Sequence, residues 1–391
     1  MTGGGRRRLG ALVAATASVL ALLAAPGTAA PQAIQAPDRF EAAPGRWVMG
    51  YFPLYERRLL PIGEIDWSAM THLVVGRVSP LPDGGLDEDY DWDADRAPAY
   101  AKRLADAATA HGVTPLLMIG GAGDHDAFLA AARDHRGDLV AHLVTAMRDG
   151  GFAGLDLDWE PVVDGDQEPL LALARDLREA LPDAVLTMPV GWVASTSPLE
   201  FPDLYAQLAG VLDRLDVMSY GMAGAWPGWR SWHSSALRGA SASTPSSIEA
   251  NVAAYRDAGV PAAQLGIGIG FYGSCWRGVT GPRQRLDGAA LVADDGVMAY
   301  TTIVRSYYTR RAYRYDTEAQ APYLRLPGGH GPRRCTYVSY EDPRSVAAKG
   351  DYATAAGLGA EIVWSIPQGH VRGAAAGRTD PLLRAVRRHF R

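Results

Sequence analysis

Eight short apolar runs recur along the chain, separated by stretches whose apolar positions return every three or four residues. They are WVMGYF (47–52), HLVVGRV (72–78), TPLLMIG (114–120), GLDLDW (154–159), AVLTMPV (184–190), LDVMSY (215–220), LGIGIGF (265–271) and EIVWSI (361–366). Runs of this length, rich in β-branched residues, predict buried strands. Between them, Leu139, Leu143 and Met147 repeat every four residues ahead of Gly150. SSIE (246–249) reads as a capping box opening a helix that stops at Gly259. The alternation predicts an α/β fold. An open doubly wound sheet would give a similar string. Eight strands match closure into a (β/α)8 TIM barrel, and no glycine-rich phosphate loop follows the first strand.

One connection is too long for a simple turn: about 90 residues separate the seventh and eighth runs, where a few are usual. It holds the strand-like GVMAYTTIV (296–304), both cysteines and many tyrosines and arginines, and only then a helix at RSVAAKGDYATAAG (344–357). This predicts a small α+β insertion, residues 275–338, between strand 7 and helix 7 of a barrel formed by 46–274 and 339–391.

The amino terminus follows another pattern. Arg6, Arg7 and Arg8 precede an apolar run and the small residues GTAA (27–30), which predicts a signal peptide over 1–30, followed by a Pro/Ala-rich leader over 31–45. With no other run long enough to span a bilayer, the expectation is a secreted, monomeric protein that leaves the membrane after cleavage. Formal net charge is −5, and losing the signal peptide would make it more negative. That balance argues against a polyanionic partner such as nucleic acid. The two cysteines, Cys275 and Cys335, would in an oxidising setting close a loop of about 60 residues. Two separate buried thiols are the alternative.

The fourth run, extended as GFAGLDLDWE (151–160), carries the chemistry. On a strand, Asp156, Asp158 and Glu160 share one face, and Leu155, Leu157 and Trp159 the other. The apolar set suits the helix side of a barrel wall, so the acids point inward. Clustered, desolvated carboxylates cost several kcal/mol unless they share protons or hydrogen bonds. A divalent metal would suit such a cluster, but no further ligand set lies nearby. The other fit is a carboxyl whose pKa is raised for general acid work, as glycosidases require. Glu160 is nearest the C-terminal mouth of the barrel and is the expected acid. The acidic stretch DEDYDWDAD (87–95) lacks the glycine and terminal glutamate of a calcium loop, and reads as a solvated loop with Trp92 a candidate sugar contact.

GFAGLDLDWE resembles the signature of the family 18 glycoside hydrolases, the chitinase family: Asp-Gly-x-Asp-x-Asp-x-Glu on the fourth barrel strand. VMGYFP and IDWSAMTHLVVG are similar to that family's first two strands, LDVMSYG to its sixth-strand Met-x-Tyr-Asp, and EIVWS to its eighth strand. WHSSAL resembles its Gly-His-x-x-Pro-Leu segment, and YDTEAQAPY (315–323) with 336–359 is similar to its insertion domain and the helix after it.

The resemblance implies retaining, substrate-assisted hydrolysis of β-linked N-acetylglucosamine polymers, with no metal or cofactor. Glu160 would be the acid, Asp158 would orient the substrate's N-acetyl group, Asp156 would share a proton with Asp158, and Tyr220 would hydrogen-bond the N-acetyl oxygen. Tyr51, Met218 and Trp364 would line the cleavage subsite. Trp226, first of three tryptophans in GMAGAWPGWRSWH (221–233), would stack on a further sugar; Trp229 and Trp232 either join it or pack against the insertion. A lectin that has lost turnover, or a hydrolase of another N-acetylglucosamine glycan, is the competing reading. Three positions depart from the family: Ala153 replaces the first aspartate and is expected on the packing face. Met118 stands where a hydroxyl steadies the inner aspartate. Gly221 replaces the sixth-strand aspartate, and losing that charge predicts a weaker hold on the proton of Glu160.

Overall fold

The computed structural model describes residues 45–375 and 377–391; the expected signal peptide and nearly all of the leader lie outside them. In chain order the strands are β1 (Trp47–Pro53), β2 (His72–Pro80), β3 (Leu86–Asp87), β4 (Thr114–Gly120), β5 (Gly154–Asp158), β6 (Val185–Val190) and β7 (Arg214–Val217). They continue with β8 (Leu265–Gly270), β9 (Ser274–Arg277), β10 (Ala290–Ala293), β11 (Tyr313–Asp316), β12 (Ala321–His330), β13 (Cys335–Ser339) and β14 (Ala360–Trp364).

All eight runs become the staves of one barrel. They pair in parallel in the order β1-β14-β8-β7-β6-β5-β4-β2, and β1 pairs β2 to close it; β3 adds a short antiparallel extension to β2. Strand alternation divides the side chains between two cores. Trp47, Met49, Tyr51, Val74, Leu116, Met118, Ala360 and Ile362 fill the barrel interior. Val48, Phe52, Leu155, Leu157 and Trp159 pack outward under the helices. Gly154 opens β5 as glycine because a Cβ there would lie 2.0 Å from the carbonyl oxygen of Val185.

Leu139, Leu143 and Met147 are the buried stripe of the helix Arg136–Gly150, which ends on Gly151 in the left-handed conformation. The helix Ile248–Asp257 forms as expected, but its cap lies one residue later than SSIE suggests: Ser247 accepts from the Ala250 amide. The reciprocal capping box is at Asp342 and Ser345, opening Pro343–Ala355.

After β8 the chain leaves the barrel and builds a second, antiparallel sheet in the order β10-β9-β13-β12-β11. Cys275 and Cys335 form a disulfide between the adjacent strands β9 and β13, so the alternative of separate thiols falls. The strand-like GVMAYTTIV instead forms the helix Tyr300–Ser306, which buries Tyr300, Thr301 and Ile303. Tertiary burial overrides the local preference of its β-branched residues. Among the described residues, no helix is long and apolar enough to cross a membrane.

Candidate active site

Strand β5 delivers its acids at three depths. Asp156 is fully buried in the barrel, where the Tyr51 hydroxyl donates to it at 2.8 Å and the Thr187 hydroxyl donates to its other oxygen. Burial raises its pKa to about 6, against the pull of those two donors. Thr187 of β6 thus supplies the hydroxyl that position 118 lacks. Met118 lies beside Asp156 in the β4–β5 register and contributes only apolar surface.

Asp158, at the end of β5, is buried, and its Oδ1 has no hydrogen-bond partner among the described residues. Burial first, then the negative charges of Glu160 and Asp156, hold its pKa well above that of a free aspartate. Glu160 stands two residues past Asp158, half-buried. Burial raises its pKa as well, opposed by the Ala122 backbone amide and by Arg77. In so small a volume, charged carboxylates repel and lose hydration, so protons are retained to higher pH.

A cavity of about 420 Å³ opens over these acids, lined by Tyr51, Asp158, Glu160, Met218, Tyr220 and Trp364, with Tyr55, Arg77, Asp91 and Asp295 among its other walls. Asp156 is below its floor. Tyr220 has its pKa pushed far up, chiefly by burial, so its hydroxyl stays a donor. Trp364, last residue of β14, faces the Tyr51 ring at 5.6 Å between centroids. Its indole Nε1 donates to Asp295 Oδ2 at 2.6 Å, and Gln368 Nε2 donates to Asp295 Oδ1 at 2.6 Å.

Two of these walls left no mark in the sequence pattern. Asp295 comes from the turn after β10, distant in sequence from every strand of the barrel. Arg77, within β2, donates to Asp91 and Asp124 at 2.9 Å each and to the carbonyls of Gly120 and Ala122 at 3.3 Å. It ties down the loop whose Ala122 amide faces Glu160, and brings a positive charge beside the acids.

Trp226 stands outside this cavity, 40 % exposed; it packs with Trp192 and Trp229, and with Trp229 lines a second groove. Trp232 is buried among Trp276 and Tyr337, its indole donating to the Ser246 carbonyl. Trp92 also lies outside the cavity, under the Arg57 guanidinium at 3.5 Å. In the acidic loop, Asp87, Asp89 and Asp93 accept from nearby backbone amides. Ala153 precedes β5 and is exposed, not packed. Gly221 has φ +64°, and a Cβ there would be 3.3 Å from the Tyr272 hydroxyl. Among the described residues, no group of three or more His, Cys, Asp or Glu is placed to hold a metal ion.

Residues 48–369 match the family model described as glycosyl hydrolases family 18. Chitinase A1 of Niallia circulans is 30% identical over 272 residues, 61% of this chain and 38% of that relative. Endochitinase 1 of Metarhizium robertsii is 27% identical over 64% of this chain and 60% of its own length, so the chain spans less than two thirds of both. The Ostrinia furnacalis Group IV chitinase in complex with allosamidin superposes with a TM-score of 0.72 at 22% identity, covering 87% of this chain and 97% of that one. That likeness shows the shared fold.

Proposed function

The chain belongs to family 18 of the glycosyl hydrolases, and we propose that it hydrolyses β-1,4-linked N-acetylglucosamine chains, chitin or its oligomers, with retention of configuration. The observation that carries this reading is Asp158 Oδ1: a buried carboxylate oxygen without a partner, beside Glu160 at the mouth of the barrel. An unpaired buried acceptor is costly. A substrate amide N–H is the group that satisfies it.

In this mechanism Glu160 gives its proton to the glycosidic oxygen as the bond from that oxygen to C1 breaks. The carbonyl oxygen of the substrate's N-acetyl group bonds to C1, forming a cyclic oxazolinium ion while the protonated leaving chain departs. Asp158 accepts from the N–H that now carries positive charge, and a proton shared with Asp156 lets it turn toward the sugar. The Tyr220 hydroxyl donates to the acetyl oxygen and orients it. Glu160, now a carboxylate, takes a proton from water as the water oxygen attacks C1 and reopens the ring. Two inversions at C1 give retention. Trp364, fixed by Asp295, presents its ring as the floor of the subsite.

The leader pattern and the disulfide support action outside the cell. Release of a fluorogenic leaving group from di- and tri-N-acetylchitooligosaccharides tests the assignment. Glu160→Gln should lower kcat by at least about 100-fold, the scale of a lost general acid, while leaving oligosaccharide affinity within a few fold. Binding without turnover by both wild type and variant would identify a lectin instead.

A further inference from the structure

The chain is acidic overall, yet seven arginines and only two acids fall between Arg305 and Arg334. Both acids are already engaged: Asp316 pairs with Arg283 and His233, and Glu318 with Arg283. The seven arginines are exposed, and none of them makes an ion pair among the described residues.

The fold gathers these charges. Antiparallel pairing of β11 with the start of β12 sets Arg314 opposite Tyr323, and the Arg325 amide bonds the Ala312 carbonyl. Arg311, Arg314, Arg325 and His330 thereby line one groove of about 430 Å³, with the backbone of Pro327–Gly329 as another wall. Arg314 is oriented by the carbonyls of Arg311 and Tyr313, at 2.9 and 2.7 Å, and Arg334 reaches the Gly328 carbonyl at 3.3 Å. Carbonyl acceptors aim a guanidinium without neutralising it. Folding requires no such gathering of like charge, which only adds self-repulsion; an anionic ligand removes that repulsion and matches the planar guanidinium fork in two-pronged hydrogen bonds.

We infer that this groove binds an anionic polysaccharide, through its sulfate, phosphate or carboxylate groups, at a site separate from the catalytic cleft. No Trp, Tyr or Phe ring is among the residues lining it, only the imidazole of His330, so it lacks the run of stacking platforms on which single-stranded nucleic acids depend. The cleft cannot take the same polymer, because Asp91, Asp158, Glu160 and Asp295 face it against one arginine. The groove therefore serves as an anchor, holding the protein on a charged matrix while an uncharged chain enters the barrel. The overall charge concealed it: Arg311, Arg314 and Arg325 form no run in the sequence, and the β11–β12 pairing brings them to one groove.

The test is binding of the full chain to a heparin-derived oligosaccharide, by fluorescence anisotropy, at about 50 and about 300 mM NaCl. Affinity should fall by at least about ten-fold with the added salt, as counterion release requires. The triple variant Arg311→Gln, Arg314→Gln, Arg325→Gln should lose at least about ten-fold at low salt, with its thermal melt and its turnover of soluble chitooligosaccharides unchanged. The triple lysine variant should retain part of the affinity, since charge survives while the two-pronged geometry does not. Glu160→Gln should bind heparin as wild type does, so failure of the hydrolase reading would not disturb this one. Equal binding by wild type and the glutamine variant, competition by chitotriose, or tighter binding of single-stranded DNA of equal charge would each overturn the proposal.

Discussion

Arg77 shows how much one side chain can set in this cleft. Its guanidinium is held by Asp91 and Asp124 and by two carbonyls of the loop 120–124, and its charge favours the ionised forms of both Asp158 and Glu160. Removing it raises both pKa values. A general acid works while protonated, so activity persists to higher pH. Arg77→Met should therefore move the alkaline limb of the kcat/KM profile upward by about half to one pH unit, with lower kcat because the loop loses three bonds; Arg77→Lys should move it less. A limb that stays put in Arg77→Met would show that the arginine only ties the loop. The same logic applies at 221, where the absent aspartate removes a like charge. There the backbone sits in the left-handed region, so the local conformation has settled around glycine.

Among elements, the five-stranded sheet matters to catalysis through one residue. The turn after β10 carries Asp295 across to β14, where it accepts from Trp364 and Gln368 at once. Without it, the indole loses a charge-assisted hydrogen bond worth about 1.5–3 kcal/mol and is free to rotate off the subsite floor. Asp295→Ala should raise KM for a chitotriose substrate roughly ten-fold, with the larger effect on KM than on kcat and a shift in tryptophan fluorescence; an unchanged KM would sink the positioning role. The contrast between the two sheets also shows what the sequence makes legible. Every barrel strand appears as an apolar run, and the inward face of β5 follows from parity, because burial on two faces imposes a strong local pattern. Tyr220, Tyr51 and Trp364 came from the family resemblance and do line the cavity. Asp295, Arg77 and Thr187 carry no such pattern: each is a single polar residue whose partner lies on another element. The place of Trp226 outside this cavity has a related cause, since its loop turns toward Trp192, a contact between distant segments that no periodicity encodes.

For the whole molecule, the cost of the design lies in its buried acids. Burial raises Asp156 to about 6, Glu56 to about 7, and Asp216 and Glu361 to about 8. Both carboxylate oxygens of Asp216, and both of Glu361, lack partners among the described residues. Each folded-state value lies above that of the unfolded chain, near 4 for carboxyl groups. Between the two values the folded protein holds more protons than the unfolded one, so stability falls as pH rises from about 4 and levels off above about 8. Each pH unit of separation is worth about 1.4 kcal/mol per group. The melting temperature should accordingly drop between pH 5 and pH 8, opposite to a protein held by ionised, salt-bridged carboxylates. Glu361 is the clean probe, because it is absent from the cavity lining and the opposing charge that acts on it most is the buried Lys349. Lys349 in turn is bonded to Glu341 and Ser235. Glu361→Gln should leave hydrolysis unchanged, raise the melting temperature by a few degrees at pH 8 and leave it nearly unchanged at pH 4.5, where the native glutamate is already neutral. An equal shift at both pH values would assign the gain to packing and remove the buried charge from the account.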